Sequence, residues 1–83
     1  MKTVLYSVKD ELSDFAAPIM IQTDDLARRY FREMIERTPI MKGNPTDFSI
    51  WAVAEFDTNS GICTGYNVPQ LIERGQKHGR DES

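Results

Sequence analysis

The stretch DFSIWAVAEFDTNSGICTGY, Asp47 to Tyr66, reads as a buried β-hairpin, and the rest of the chain is organised around it. Strict alternation places Phe48, Ile50, Ala52, Ala54 and Phe56 on one side of a strand and Ser49, Trp51, Val53 and Glu55 on the other. Both sides carry apolar bulk, which suits a strand interior to its sheet. The two alanines between aromatic ends leave room for a helix to lie across the first face. The second face, centred on Trp51, has no evident cover. Asp57-Thr-Asn-Ser-Gly61 supplies the turn, because Asp and Asn bond local backbone and Gly61 tolerates positive φ. Ile62 to Tyr66 is the return strand; it is short, and Gly65 within it suits an edge or a bulge.

Upstream, Lys2 to Lys9 alternates, with Val4, Tyr6 and Val8 on one face, and gives a first strand. Asp10 to Asp14 is a polar connection. Pro18 to Gln22 is a shorter strand whose leading proline belongs at an edge. Thr23 to Thr38 is the best-marked helix. Thr23 is its N-cap, Asp24 and Asp25 meet the positive end of the dipole, and Pro39 ends it. Leu26, Ala27, Tyr30, Phe31, Met34 and Ile35 draw one apolar stripe, the expected cover for the Phe48 side of the hairpin.

The other side of that helix carries Arg28, Arg29, Arg32 and Arg37. Pairing Asp24 with Arg28, Asp25 with Arg29, Arg29 with Glu33, Arg32 with Glu36 and Glu33 with Arg37 at i,i+4 makes it a self-neutralised solvated face, each pair contributing about 0.2–0.5 kcal/mol. Pro39 to Thr46 is a loop. Val68 to Gly75 reads as one apolar-sided helical turn stopped by Gly75. Gln76 to Ser83 has no hydrophobic residue and is expected to be a flexible, disordered tail.

The expected fold is therefore α+β, in the order β-β-α-β-β. A single domain over 1–75 places one helix on one face of a small, mostly antiparallel sheet, followed by the 76–83 tail. Eighty-three residues barely suffice for a self-sufficient core, and one cysteine excludes an internal disulfide. Oligomerisation is the expected remedy, through the uncovered face at Leu5, Trp51 and Val53. Cys63 reads as a small apolar strand residue.

The formal charge of −3 opposes tight polyanion binding unless the cations gather on one side. No apolar run approaches the roughly 18 residues of a membrane span, and the N-terminus lacks a secretory pattern. A soluble cytoplasmic protein is expected. Enzyme chemistry finds no support: His78, the one histidine, falls in the tail, and Asp10, Glu11 and Asp14 lack the glycine and terminal glutamate of a calcium loop. Neither a metal nor another cofactor is implied. Single-stranded nucleic acid is the stronger alternative, since it needs aromatics for stacking beside a basic track. Trp51 and Tyr66, with Lys9, Lys42, Arg74 and Lys77, are the candidates; Tyr6, Lys2 and Arg80 extend the set.

YSVKD near the start, PIMIQTDDLARRYF, and PTDFSIWAVAEFDTNSG follow one another over residues 4 to 72 in an order and spacing that resembles the small non-structural protein of gokushovirus-type microviruses, which are single-stranded DNA phages. One departure is Ala54, where a glycine is common in that family. The resemblance implies a non-enzymatic, non-capsid phage protein made in the host bacterial cytoplasm. It also implies help in single-stranded genome replication or packaging, by binding DNA, with no catalytic motif to carry over; the homo-oligomer is expected from the uncovered sheet face. The alternative is a module that binds a phage or host protein through its apolar sheet face without touching DNA.

Overall fold

The computed structural model describes residues 1–77 of the chain. It comprises β1 (Lys2–Asp10), β2 (Ile19–Ile21), α1 (Asp24–Arg37), a short α2 (Pro39–Gly43), a 3-10 turn (Pro45–Asp47), β3 (Phe48–Asp57) and β4 (Cys63–Arg74). The four strands form one antiparallel sheet in the order β2-β1-β3-β4, with α1 against one face. This is the expected α+β architecture, with β3 interior and the proline-led β2 at an edge. The tail expected over 76–83 lies mostly outside the described residues, as do His78 and Arg80; Gln76 and Lys77 are exposed and without regular structure.

α1 begins where its cap predicts. The Thr23 hydroxyl accepts a hydrogen bond from the Leu26 amide at 3.1 Å, and Asp24 and Asp25 occupy the first turn. Its stripe buries Ala27, Phe31 and Ile35 against Tyr6, Phe48, Ile50 and Ala52, with Tyr30 and Met34 at the margin. Phe31 and Ile50 are completely enclosed. Each such side chain contributes about 1.5–3 kcal/mol by leaving water. Tyr6 joins sheet to helix: its hydroxyl donates to Asp24 Oδ1 at 2.6 Å, and burial, reinforced by that carboxylate, pushes the phenol pKa upward. The segment expected as a loop from Pro39 contains α2 instead, which inserts Met41 into the core.

The hairpin turn closes as expected. Gly61 has φ of 77°, its amide donates to the Asp57 carbonyl at 2.8 Å, and the Asp57 carboxylate accepts from the Asn59 amide at 2.9 Å.

Two expectations are overturned downstream. Val68 to Gly75 is not a helical turn; β4 runs on to Arg74, and Leu71, Glu73 and Arg74 pair with Trp51, Ile50 and Ser49. A second interaction holds this end down: Arg32 makes two hydrogen bonds to Glu73, at 2.7 and 2.8 Å, and Arg28 lies 4.0 Å from the same carboxylate. Arg28 also pairs with Asp25, at i,i+3. The helix cations are thus partly spent on the sheet rather than along α1, and of the expected i,i+4 pairs Glu33–Arg37 forms, at 3.8 Å.

The second correction concerns facing. A β-bulge puts Ala52 opposite Tyr6 but Ala54 opposite Leu5, the next residue of β1, with Val53 as the extra residue. Tyr6 and Leu5 point to opposite faces, so Ala54 leaves the helix side, and Phe56, opposite Thr3, follows it. Ala54 is buried yet stands outside the helix-covered core.

Candidate functional site

The face of the sheet opposite α1 is built by register. Lys9 on β1, Ser49 on β3 and Arg74 on β4 form one cross-strand row; Ser7, Trp51 and Leu71 form the next; Leu5, Ala54 and Gly65 form a third. Beside Leu5 on β2 stands Met20, 58 % exposed.

The connection after β1 folds back over one margin of this face. Asp10 Oδ1 accepts from the Leu12 amide, the Asp10 amide donates to the Asp14 carbonyl, and the Glu11 amide donates to the Asp47 carbonyl at 2.8 Å. The Ala16 amide then donates to the Val8 carbonyl, while the buried Ser7 hydroxyl donates to the Ala16 carbonyl at 2.6 Å. This places Phe15 opposite Lys9. Its ring meets the Trp51 indole edge-on, with centroids 6.1 Å apart and planes at 74°. The Lys9 ammonium lies over both rings, 5.3 Å from the Phe15 centroid and 5.9 Å from that of Trp51.

A polar chain runs under this aromatic pair. The Trp51 indole N–H donates to Ser49 Oγ at 2.7 Å, and the Ser49 hydroxyl donates to Glu11 Oε2 at 3.0 Å. The same carboxylate lies 3.6 Å from Lys9 Nζ and 3.4 Å from Arg74 Nη1. The Ser49 hydrogen bond foremost, with the two cations, holds the Glu11 carboxyl below its ordinary pKa.

Of the residues singled out in the sequence, Lys9, Trp51 and Arg74 come together here. Leu5 lies on the same face two residues before Ser7, and Val53 is the half-buried bulge residue between β3's two alanines. The others are elsewhere. Tyr66 packs on the α1 side, where burial and the charges of Glu55 and Asp24 raise its phenol pKa, a setting that repels phosphate. Lys42 pairs with Glu36 at 3.8 Å beyond the end of α1. Lys77 borders a cleft of about 430 Å³ shared with Arg32, Glu36, Glu73 and Arg74. A groove of about 410 Å³ between α1 and the β1 edge is lined by Tyr6, Tyr30, Met34 and Met41, with Asp10 and Asp14 and no cation.

Sequence reasoning missed Phe15, Glu11, Ser49 and Leu71. Leu71 becomes visible once Leu71 to Arg74 is read as a strand; the other three depend on a fold-back that no local pattern signals. Among the described residues no Asp, Glu, Cys and His side chains gather in threes as metal ligands do, and no helix is long and apolar enough to cross a membrane.

Comparison with curated proteins and with solved structures returned no match. A protein family does match: Phage ORF5 protein, over residues 3–78, which takes in both helices, β2 to β4 and all of β1 but Lys2. The chain belongs to the phage ORF5 protein family.

Proposed function

We propose that this phage protein binds single-stranded DNA on its open sheet face, as a non-enzymatic homo-oligomeric accessory to genome replication or packaging. The observation that carries the reading is the Lys9 ammonium above the Phe15 and Trp51 rings, with Arg74 in the neighbouring cross-strand position. An unpaired base presents a π-face to such a pair, while the cations meet its phosphates. Base–aromatic stacking supplies roughly 1–3 kcal/mol per base. A duplex keeps its bases stacked internally and gains only the charge interaction.

One copy of this surface is small: two aromatics, two cations and a carboxylate between them. Useful affinity therefore comes from several copies acting on one strand, which is the argument for an oligomer. A protein partner on the same face is the second reading. It is favoured by the exposure of Met20, beside Leu5, and of Leu71, beside Trp51, at 58 % and 45 %.

The test follows labelled oligo-dT and duplex DNA by anisotropy across a salt series, with the single tryptophan as a fluorescent reporter. The reading expects preference for the single strand, Trp51 quenching, and log K falling with log salt at a slope near −1.4 per protomer, about 0.7 for each of two phosphates. No binding at low salt, with intact fold, rejects DNA as the ligand and puts the protein partner first.

A further inference from the structure

We infer that the Glu11 side chain is an internal stand-in for phosphate, closing the anion subsite that Lys9, Ser49 and Arg74 form beside Trp51 until a phosphate displaces it. This rests on the single-stranded DNA reading for its biological ligand, though the anion subsite itself is testable without DNA.

The geometry argues for displacement. Both cations stand farther from the Glu11 oxygens than the 2.7–3.2 Å of a close hydrogen bond, Lys9 at 3.6 Å and Arg74, through one long hydrogen bond, at 3.4 Å. In the same protein Arg32 grips Glu73 at 2.7 and 2.8 Å, so close pairing is attainable where the fold demands it. Lys9 and Arg74 thus retain donors that the carboxylate does not use. The closest hold on Glu11 is the hydroxyl of the fully buried Ser49, at 3.0 Å; Arg74 donates one longer hydrogen bond to the same oxygen.

The loop does not depend on that side chain. Its backbone is fixed by the Glu11 amide on Asp47, Asp10 on Asp14, and Ala16 on Val8, each at 2.8–3.1 Å. The carboxylate can therefore swing to solvent while Phe15 stays against Trp51. An incoming phosphate accepts from Ser49, Lys9 and Arg74 in its place. Because the indole N–H is itself bonded to Ser49, the attached base then lies within reach of the Trp51 ring. Binding exchanges one anion for another, so the free protein resists weak or adventitious polyanions. This also accounts for a binding face in a chain of charge −3.

The experiment compares wild type with Glu11→Gln, titrating inorganic phosphate by Trp51 fluorescence and oligo-dT by anisotropy. The amide keeps an acceptor for Ser49 and removes the competing charge. Affinity for both ligands is expected to rise about fivefold, the factor a unit charge roughly 4 Å away contributes across water. The gain is expected to vanish when Lys9→Gln and Arg74→Gln are added. Equal or weaker binding of both ligands by a folded Glu11→Gln overturns the inference and makes Glu11 a structural clip. Should that variant unfold, Glu11→Asp, which keeps the charge but shortens the reach, decides the question by the same criterion. Phosphate binding that favours the variant, with no oligo-dT binding to either protein, supports the subsite and rejects the DNA reading. Oligo-dT binding equally to both proteins supports the DNA reading and overturns the inference.

Discussion

Among the described residues Gly75→Ala is expected to destabilise the domain more than any other glycine substitution, and the reason is backbone rather than side chain. Gly75 is buried at the end of β4, with its amide donating to the Phe48 carbonyl at 2.8 Å. A Cβ at this position would lie 1.9 Å from the Pro45 carbonyl oxygen, 2.8 Å from its carbon and 3.2 Å from the Phe48 oxygen. None of these atoms can rotate aside. Relief requires the chain to retreat by more than about 1 Å, since carbon contacts settle at roughly 3.5–4.0 Å, and that retreat breaks the bond to Phe48. Overpacking costs about 1–3 kcal/mol, and a buried donor left unpaired costs about 1–3 kcal/mol more. A loss near 3 kcal/mol is expected, from a stability of about 4–12 kcal/mol for a chain of this length. Circular dichroism should record a Tm lower by about 12–24 °C, at 4–8 °C per kcal/mol. Gly65→Ala is the control: no atom lies within 4 Å of its Cβ and its φ is not positive, so a change within about 0.5 kcal/mol is expected. A Gly75→Ala protein whose Tm falls by less than about 4 °C would refute the packing of β4 on the Pro45 turn.

Two further perturbations follow from the ion pairs. Glu73→Gln removes the partner of Arg32 and Arg28 and should lower stability by about 1 kcal/mol in urea titrations. The loss should shrink in about 1 M salt, where screening acts within roughly 3 Å; an equal loss at both salts would mean that charge is not its cause. Acid should also destabilise the fold. Glu11, bonded by Ser49, and Asp57, bonded by the Asn59 amide, both ionise below their ordinary values in the folded state. Their contribution is complete above the unfolded pKa values and is lost as pH falls below about 4.5 toward the lowered folded ones. Tm should therefore drop from pH 4.5 to pH 3, and a rise across that window would contradict both assignments.

What local chemistry dictates was legible in the sequence. Thr23 with its two aspartates marks the start of α1, Gly61 marks the turn, and the α1 stripe predicts which helix residues are buried. What depends on register was not. Alternation assigns Ala54 and Phe56 to the helix side, because a period of two carries no sign of the extra residue at Val53. Val68 to Gly75 has a proline near its start, apolar residues on one side and a terminal glycine, which is equally the pattern of a helical turn. Only pairing with Ser49 to Ala52 and the Arg32–Glu73 contact select the strand. The candidate site divides the same way. Trp51 and Lys9 were identifiable as an aromatic and a cation on strands, whereas Phe15 reaches them through bonds between Ser7, Val8 and Ala16 that span a polar loop. Tyr66 failed as a partner for Trp51 because the bulged pairing of β4 turns it toward α1.

An amide and indole NMR map of the protein titrated with oligo-dT locates the DNA contact as well as detecting it. Shifts are expected to concentrate at Lys9, Glu11, Phe15, Ser49, Trp51, Leu71 and Arg74, including the indole N–H that bonds Ser49. Residues on the exposed side of α1, Arg29 and Arg37 among them, should stay still. Shifts confined to α1 with the Trp51 indole unmoved would rule out the open sheet face and place the DNA on the helix.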